Sequence, residues 1–173
     1  RAFVQPKYQS AEMGRKSLFA LDNLWDGIGG LVATDPSIKY LAGKVTIYST
    51  SPDKSRKAMI YYLEKFFGDR EKMLISKHPE TCTDEERAEF DAMFCADTAK
   101  ENYKILNTFV KSMNDSIPPL IHSYIELSSS MKTFGTTFDP DFGDCYDTAM
   151  IITINDIYEP KKKRYIESYF EQK

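Results

Sequence analysis

The sequence has no long apolar run: no hydrophobic stretch approaches the roughly 20 residues that cross a bilayer, and the start carries no secretory-signal pattern. It has little cysteine. Cys82, Cys95 and Cys145 are odd in number, widely spaced and in no metal-ligand pattern, so reduced thiols in a cytoplasmic setting are expected. It also lacks an excess of positive charge. Lys and Arg number 23 against 26 Asp and Glu, a formal net charge of −3, which argues against a general nucleic-acid binder. Motifs for covalent or metal chemistry are missing as well: there is no GxSxG elbow, and neither His78 nor His122 sits in an HExxH frame. The acidic loop Asp139, Asp141, Asp144, Asp147 fails as a calcium loop, because Asp144 and Met150 stand where a glycine and a glutamate are needed. Capped turns account for these aspartates, and no metal is expected.

What is there suits one globular domain over residues 1–173, with 42% hydrophobic residues, 11 Tyr and 11 Phe for a packed core. The chain begins at Arg1 inside a strand-like stretch, which predicts a piece of a longer protein with sequence upstream.

The opening stretch organises the rest. Arg1–Gln5 alternates around Phe3 and Val4 as a strand would, and Pro6 ends it by removing a ladder donor. Gly14-Arg15-Lys16-Ser17 then opens a helix whose Leu18, Leu21, Trp25, Ile28 and Val32 recur at steps of three and four. Free N–H groups at that helix start, the helix dipole and two cations suit an anion such as a phosphate; a basic loop before a core helix explains the same residues. Gly27, Gly29 and Gly30 fall inside the helix, where each costs up to about 1 kcal/mol relative to Ala, so a sheet or a ligand chain is expected to press close.

A second strand is predicted over 40–50, parallel to the first through a right-handed crossover, with Gly43 marking a bulge or a close backbone approach. Ser51 as N-cap and Pro52 as first residue start a helix burying Met59, Leu63 and Phe66 and ending at Gly68. Residues 69–116 read as a helical insertion. Thr83 and Glu86 form a capping box there, and Asp97 caps a second helix with the stripe Ala99, Tyr103, Leu106, Val110 and Met113. A helix from Ile117-Pro118-Pro119 to about Ser128, with Leu120, Tyr124 and Leu127 facing in, precedes two strands, 131–138 and 148–156, expected to be antiparallel. Glu159-Pro160 begins a last helix. Its cations, Lys161, Lys162, Lys163 and Arg164, form a solvated face or touch anionic lipid.

Taken together, the segments VQPKYQ, LDNLWDGIGGL, YLAGKVTIYS, IPPLIHSYIEL and FDPDFGD resemble the second half of the GNAT N-acyltransferase fold. They are most similar to the branch of ornithine-lipid and glycine-lipid N-acyltransferases often labelled hemolysins. The resemblance covers about 1–68 and 117–156. It implies an α/β fold: a GNAT-like partial sheet with helices on both faces, plus the helical insertion.

The resemblance further implies an enzyme that moves a 3-hydroxyacyl chain from acyl carrier protein to the α-amine of a small amino acid such as glycine or ornithine. No cofactor is bound permanently; the carrier's phosphopantetheine, or an acyl-CoA, brings the donor. Phe3 and Val4 belong to the strand that offers a backbone N–H to the thioester carbonyl. Gly14, Arg15, Lys16 and Ser17 hold the pantetheine phosphate, and Lys7 helps steer the acidic carrier. Gly27, Gly29 and Gly30 lie beside the pantetheine or acyl chain. Arg1, taken as catalytic, resembles the arginine that follows a glutamate in the family's strand, and that glutamate and the general base are expected upstream of this chain. Tyr62, or Tyr61, takes the place of the tyrosine that protonates the leaving thiolate. The spacing from Gln9 to Gly14, with Lys16 in place of a second small residue, departs from the usual CoA loop and favours a carrier-protein donor. A plain acetyl-CoA-dependent acetyltransferase and a non-catalytic carrier-binding fragment are the alternatives.

Overall fold

Alternation builds the sheet. In β1 (Tyr40–Tyr48), Val45 and Ile47 are buried, whereas Lys44 and Tyr48 on the opposite face are exposed. With β2 (Lys132–Asp139) and β3 (Cys145–Thr153) it forms a three-stranded sheet in the order β1-β3-β2, antiparallel at both joints. The structure, a computed structural model, describes the backbone of residues 20–171 and the side chains of residues 22–170. The expected first strand, 1–5, and its parallel pairing lie outside the described residues.

The antiparallel pairing expected for the last two strands is present, with shifted ends. The Asp139 side chain accepts the Asp141 N–H at 3.2 Å and caps a 3₁₀ turn, Pro140–Phe142. Gly143 at φ 76° and Asp144 at φ 50° then reverse the chain so tightly that β3 starts at Cys145, three residues before its expected position.

The helix after β1, α2 (Asp53–Phe67), has nine buried residues among its 15, more than one amphipathic stripe provides, and so is covered on two sides. One side meets the sheet, where the Thr133 hydroxyl donates to the Leu63 carbonyl (3.3 Å) and Arg56 lies 4.1 Å from the Tyr146 ring centre. The other side meets the insertion, where Tyr61 packs against Phe90 and Phe94. Burial of each of these phenylalanines contributes roughly 1.5–3 kcal/mol. Three expectations for α2 need correction. Pro52 is itself the N-cap and makes no side-chain cap bond, so Ser51 does not cap the helix. Phe66 is half-buried, while Phe67 is buried. Gly68 does end the helix, but its φ of −59° is ordinary; it is small because a β-carbon there would stand 2.3 Å from the Glu64 carbonyl oxygen.

In the insertion, α3 (Asp84–Met93) carries the predicted capping box of Thr83 and Glu86. The next helix, α4 (Ala99–Ser112), is capped by Thr98 in a second box with Glu101, not by Asp97. Of its predicted stripe only Leu106 and Val110 are buried, joined by Asn102, whose amide ties Ala96 and Thr98 to the helix. Helix α5 (Pro119–Ile125) is shorter than expected, and Ile121 rather than Leu120 is its buried residue. Its Tyr124 explains Gly43: a β-carbon on Gly43 would lie 2.3 Å from the Tyr124 hydroxyl.

Tyr40–Asp156 form one compact unit, and residues 20–39 with 157–171 form a second. In the second, α6 (Glu159–Lys162) leads into a π-helical turn (Lys163–Glu167) and α7 (Ser168–Glu171), and α1 (Ala20–Thr34) packs on the turn and on α7. The expected pressure on the α1 glycines comes from this C-terminal helix. A β-carbon on Gly29 would meet the Tyr165 backbone, and one on Gly30 would meet the Tyr169 ring, whereas Gly27 faces open space. Arg164 forks onto Asp26 (2.6 Å) and Asp22 (3.0 Å), and the Tyr165 hydroxyl donates to Asp22 at 2.6 Å.

Candidate functional site

Most of the residues singled out from sequence, namely Arg1, Phe3, Val4, Gly14, Arg15, Lys16 and Ser17, lie outside the described residues, as does Lys7. Tyr62 is described. Its side chain is 0% exposed and its hydroxyl donates to the Ala99 carbonyl at 2.9 Å. Phe66, Phe67, Phe94 and Tyr103 surround its ring, and burial pushes the phenol far above its ordinary range. The proton is therefore bonded inside the core, to the carbonyl of the first residue of the helix that follows. Tyr61 beside it is also buried, and its phenol is pushed up to about 12 by burial and by the Asp91 carboxylate.

Two places in the larger unit offer chemistry. The first is β1. Its partner among the described residues is β3, so its second edge presents backbone groups that can take a further strand or an amide-bearing ligand. On the exposed face of this strand, Lys44 and Thr46 converge on Asp147 of β3; the Thr46 hydroxyl donates to Asp147 at 2.6 Å and Lys44 forms an ion pair with it. Asp147 is buried, and both of these partners bond its carboxylate. The Lys44 ammonium also stands 4.6 Å from the Phe142 ring centre. Asp147 is one of the four loop aspartates, and its role here is an ion pair. Among the described residues, no group of three or more His, Cys, Asp or Glu could hold a metal ion.

The second place is a pocket of about 340 Å³ beside the outer edge of β2, within the range of small-ligand sites. A bulge creates it. Thr133 pairs with Met150 and Thr136 with Thr148, so Phe134 and Gly135 together oppose Ala149. Gly135 sits at φ 81° with nothing near its β position, so its backbone conformation, not crowding, favours glycine. Ile60 and Leu63 of α2 and the bonded hydroxyls of Thr136 and Thr148 (2.6 Å) line the inner side; Leu74 and Ile75 line the outer. On either side of the bulge the 69–80 segment is tied to β2, by Asp69 N–H to the Thr133 carbonyl (2.9 Å) and Glu80 N–H to the Thr136 carbonyl (2.8 Å). Sequence periodicity could not show this loop-over-bulge arrangement; its one signal was the aliphatic triplet Met73-Leu74-Ile75 in an otherwise polar stretch.

Two of the three thiols, Cys82 and Cys145, are buried and offer little nucleophilic character, while Cys95 is exposed. Burial pushes Cys82 up to about 11 and raises Cys145 as well, so both stay protonated at neutral pH. His122 is exposed and stacks on Tyr103 at 5.6 Å, and the His78 carbonyl accepts a hydrogen bond from the Thr137 hydroxyl at 2.9 Å.

No protein-family profile matches the chain, and no solved structure matches it. The chain is 44% identical over 173 residues to a curated protein of Phocaeicola vulgatus named glycine N(alpha)-acyltransferase, across 99% of this chain and 52% of that protein. It is 43% identical over 174 residues to a protein of the same name from Bacteroides thetaiotaomicron, across 99% of this chain and 50% of that protein. The chain thus spans about half the length of the curated relatives it matches. The mixed α/β architecture, with its small antiparallel sheet and several helices, is compatible with a GNAT-like acyltransferase fold.

Proposed function

We propose that this chain is the C-terminal, GNAT-like part of an N-acyltransferase that acylates the α-amine of glycine. The observation that carries this reading is the 44% identity, sustained over 99% of the chain, to a protein named for that activity. In this reading the donor is a 3-hydroxyacyl chain on the phosphopantetheine of acyl carrier protein. Gly14, Arg15, Lys16 and Ser17 bind its phosphate, and Phe3 and Val4 lie along the thioester. The product is the first intermediate of an aminolipid. The protein works in the cytoplasm in peripheral contact with an anionic membrane.

The reaction asks little of the protein. The amine loses a proton, N–H donors stabilise the tetrahedral oxyanion, and the thiolate regains a proton as the amide forms. Direct attack by the amine needs no enzyme nucleophile, in keeping with the protonated state of Cys82 and Cys145. The second edge of β1, unpaired among the described residues, supplies a wall for an amide-bearing donor arm, and the pocket under the 69–80 segment has room for an apolar chain.

A second reading is favoured by length. Because the chain matches only half of each relative, on its own it binds the carrier protein without turning over. Lipid analysis of a heterologous host expressing the full-length protein tests the main reading. New N-acylglycine, lost with Arg15→Ala/Lys16→Ala, supports it; an unchanged lipid profile with folded protein overturns it. Activity in residues 1–173 alone removes the binding-only reading.

A further inference from the structure

Three consecutive large aliphatic side chains stand in solvent at the tip of the 69–80 loop: Met73 is 52% exposed, Leu74 59% and Ile75 79%. Scattered exposed aliphatics are ordinary, but three in a row on one loop mark a contact surface. Lysines bracket the triplet, Lys72 before it and Lys77 after it, both exposed. Two of the loop's three acids are engaged at its footing, and the third, Glu80, closes its far end. Asp69 accepts the Glu71 N–H at 3.0 Å and that of Met73, and Glu71 pairs with Lys132 at 2.7 Å. The tip therefore presents aliphatics framed by cations.

The loop is also held in shape. Besides the two ties to β2, the Thr137 hydroxyl donates to the His78 carbonyl at 2.9 Å. Lys72 adopts φ 53°, a left-handed conformation that costs a non-glycine residue energy and persists where the surroundings enforce it. A fixed loop exposes its apolar tip without paying ordering entropy on contact.

We propose that residues 72–77 are the membrane-contact segment: Met73, Leu74 and Ile75 enter the headgroup boundary of an anionic bilayer, and Lys72 and Lys77 meet lipid phosphates. Short aliphatic insertion combined with lysine attraction is the physics of peripheral lipid binding. Among the described residues no helix is long and apolar enough to cross a membrane, so attachment through them would be peripheral. The basic run at 161–164 is the weaker candidate, since Arg164 is bound to Asp22 and Asp26. The proposal rests on the peripheral-membrane part of the reading above, and its test needs no turnover, so it can fail while acyl transfer stands.

The experiment is co-sedimentation of the chain with vesicles of equal parts phosphatidylglycerol and phosphatidylcholine, compared with pure phosphatidylcholine. Binding is expected to the anionic vesicles at low salt. Leu74→Ser/Ile75→Ser should weaken it at least about tenfold, and each of Lys72→Gln and Lys77→Gln about fivefold. Ile75→Trp should bind at least as tightly, with its emission shifted to the blue on vesicle addition. Failure of the wild type to sediment overturns the proposal. So does unchanged binding by Leu74→Ser/Ile75→Ser, or a loss seen only with Lys161→Gln/Lys162→Gln/Lys163→Gln. Self-association in lipid-free buffer, or capture of an acidic protein without vesicle binding, each abolished by Leu74→Ser, would reassign the surface to a protein partner and also overturn it.

Discussion

Gly29 lies against the main chain of Tyr165: a β-carbon on Gly29 would stand 1.9 Å from the Tyr165 carbonyl oxygen and 2.5 Å from its carbon. A backbone obstacle cannot swing aside as a side-chain tip can. Gly29→Ala should therefore destabilise the pairing of α1 with the C-terminal helix by about 3 kcal/mol. Gly27→Ala in the same helix, with nothing near the new carbon, should stabilise it by up to about 1 kcal/mol. Hydrogen exchange across both helices reads the two effects. Equal signs would contradict the packing described.

Gly43 and Tyr124 give a milder version of the same test. The obstacle is a side-chain hydroxyl 2.3 Å from the added carbon, so Gly43→Ala should cost about 1–2 kcal/mol in urea unfolding. Tyr124→Phe removes that hydroxyl and leaves the ring carbon at 3.3 Å. The double variant should be more stable than the sum of the single losses. Simple additivity would mean that the two residues do not meet.

The buried place of Tyr62 predicts how its variant behaves. Tyr62→Phe removes the bond to the Ala99 carbonyl and should cost about 1–2 kcal/mol of stability while leaving kcat within about twofold. Stability is read by urea unfolding and kcat on the full-length protein. A large loss of kcat at unchanged stability would instead make Tyr62 the group that protonates the thiolate.

Glu86 joins a capping box to an ion pair, accepting the Thr83 N–H at 2.8 Å and the Lys57 ammonium at 2.8 and 2.9 Å. The Lys57 bond, then the Thr83 N–H, holds its carboxyl below the usual range, while the Glu86 bond raises Lys57 above its own. The carboxyl's contribution is thus complete above the ordinary glutamate pKa and is lost as pH falls through the depressed value. The ammonium's is complete below the ordinary lysine pKa and is lost as pH rises through the raised one. Glu86→Gln should cost about 1–2 kcal/mol at neutral pH and flatten both limbs of the stability–pH curve. A parallel downward shift of the whole curve would contradict this.

Where local chemistry decides structure, the sequence was readable: the Thr83–Glu86 box, the alternation around Val45 and Ile47, and the stop at Gly68 are all where spacing placed them. The misreadings arose where two local signals competed. Asp97 and Thr98 can both cap, and Thr98 prevails because Glu101 completes its box. The strand ends moved because a 3₁₀ turn and a left-handed pair, Gly143 and Asp144, consume less chain than a loose loop. Tertiary causes were hidden altogether. Nothing near Gly29 in sequence points to Tyr165, and nothing near Tyr62 points to Ala99. For the same reason the β2 bulge and the loop across it emerged only with the strands paired.

Supplying the full-length protein with glycine and a 3-hydroxyacyl carrier protein, and reading the products by mass spectrometry, tests the acyl transfer itself. N-acylglycine is expected from the carrier-bound donor, none from acetyl-CoA, and a rate at least about tenfold lower in Arg15→Ala/Lys16→Ala. Acetylation of glycine from acetyl-CoA, or no N-acylglycine from a folded protein with the loaded carrier, would contradict it.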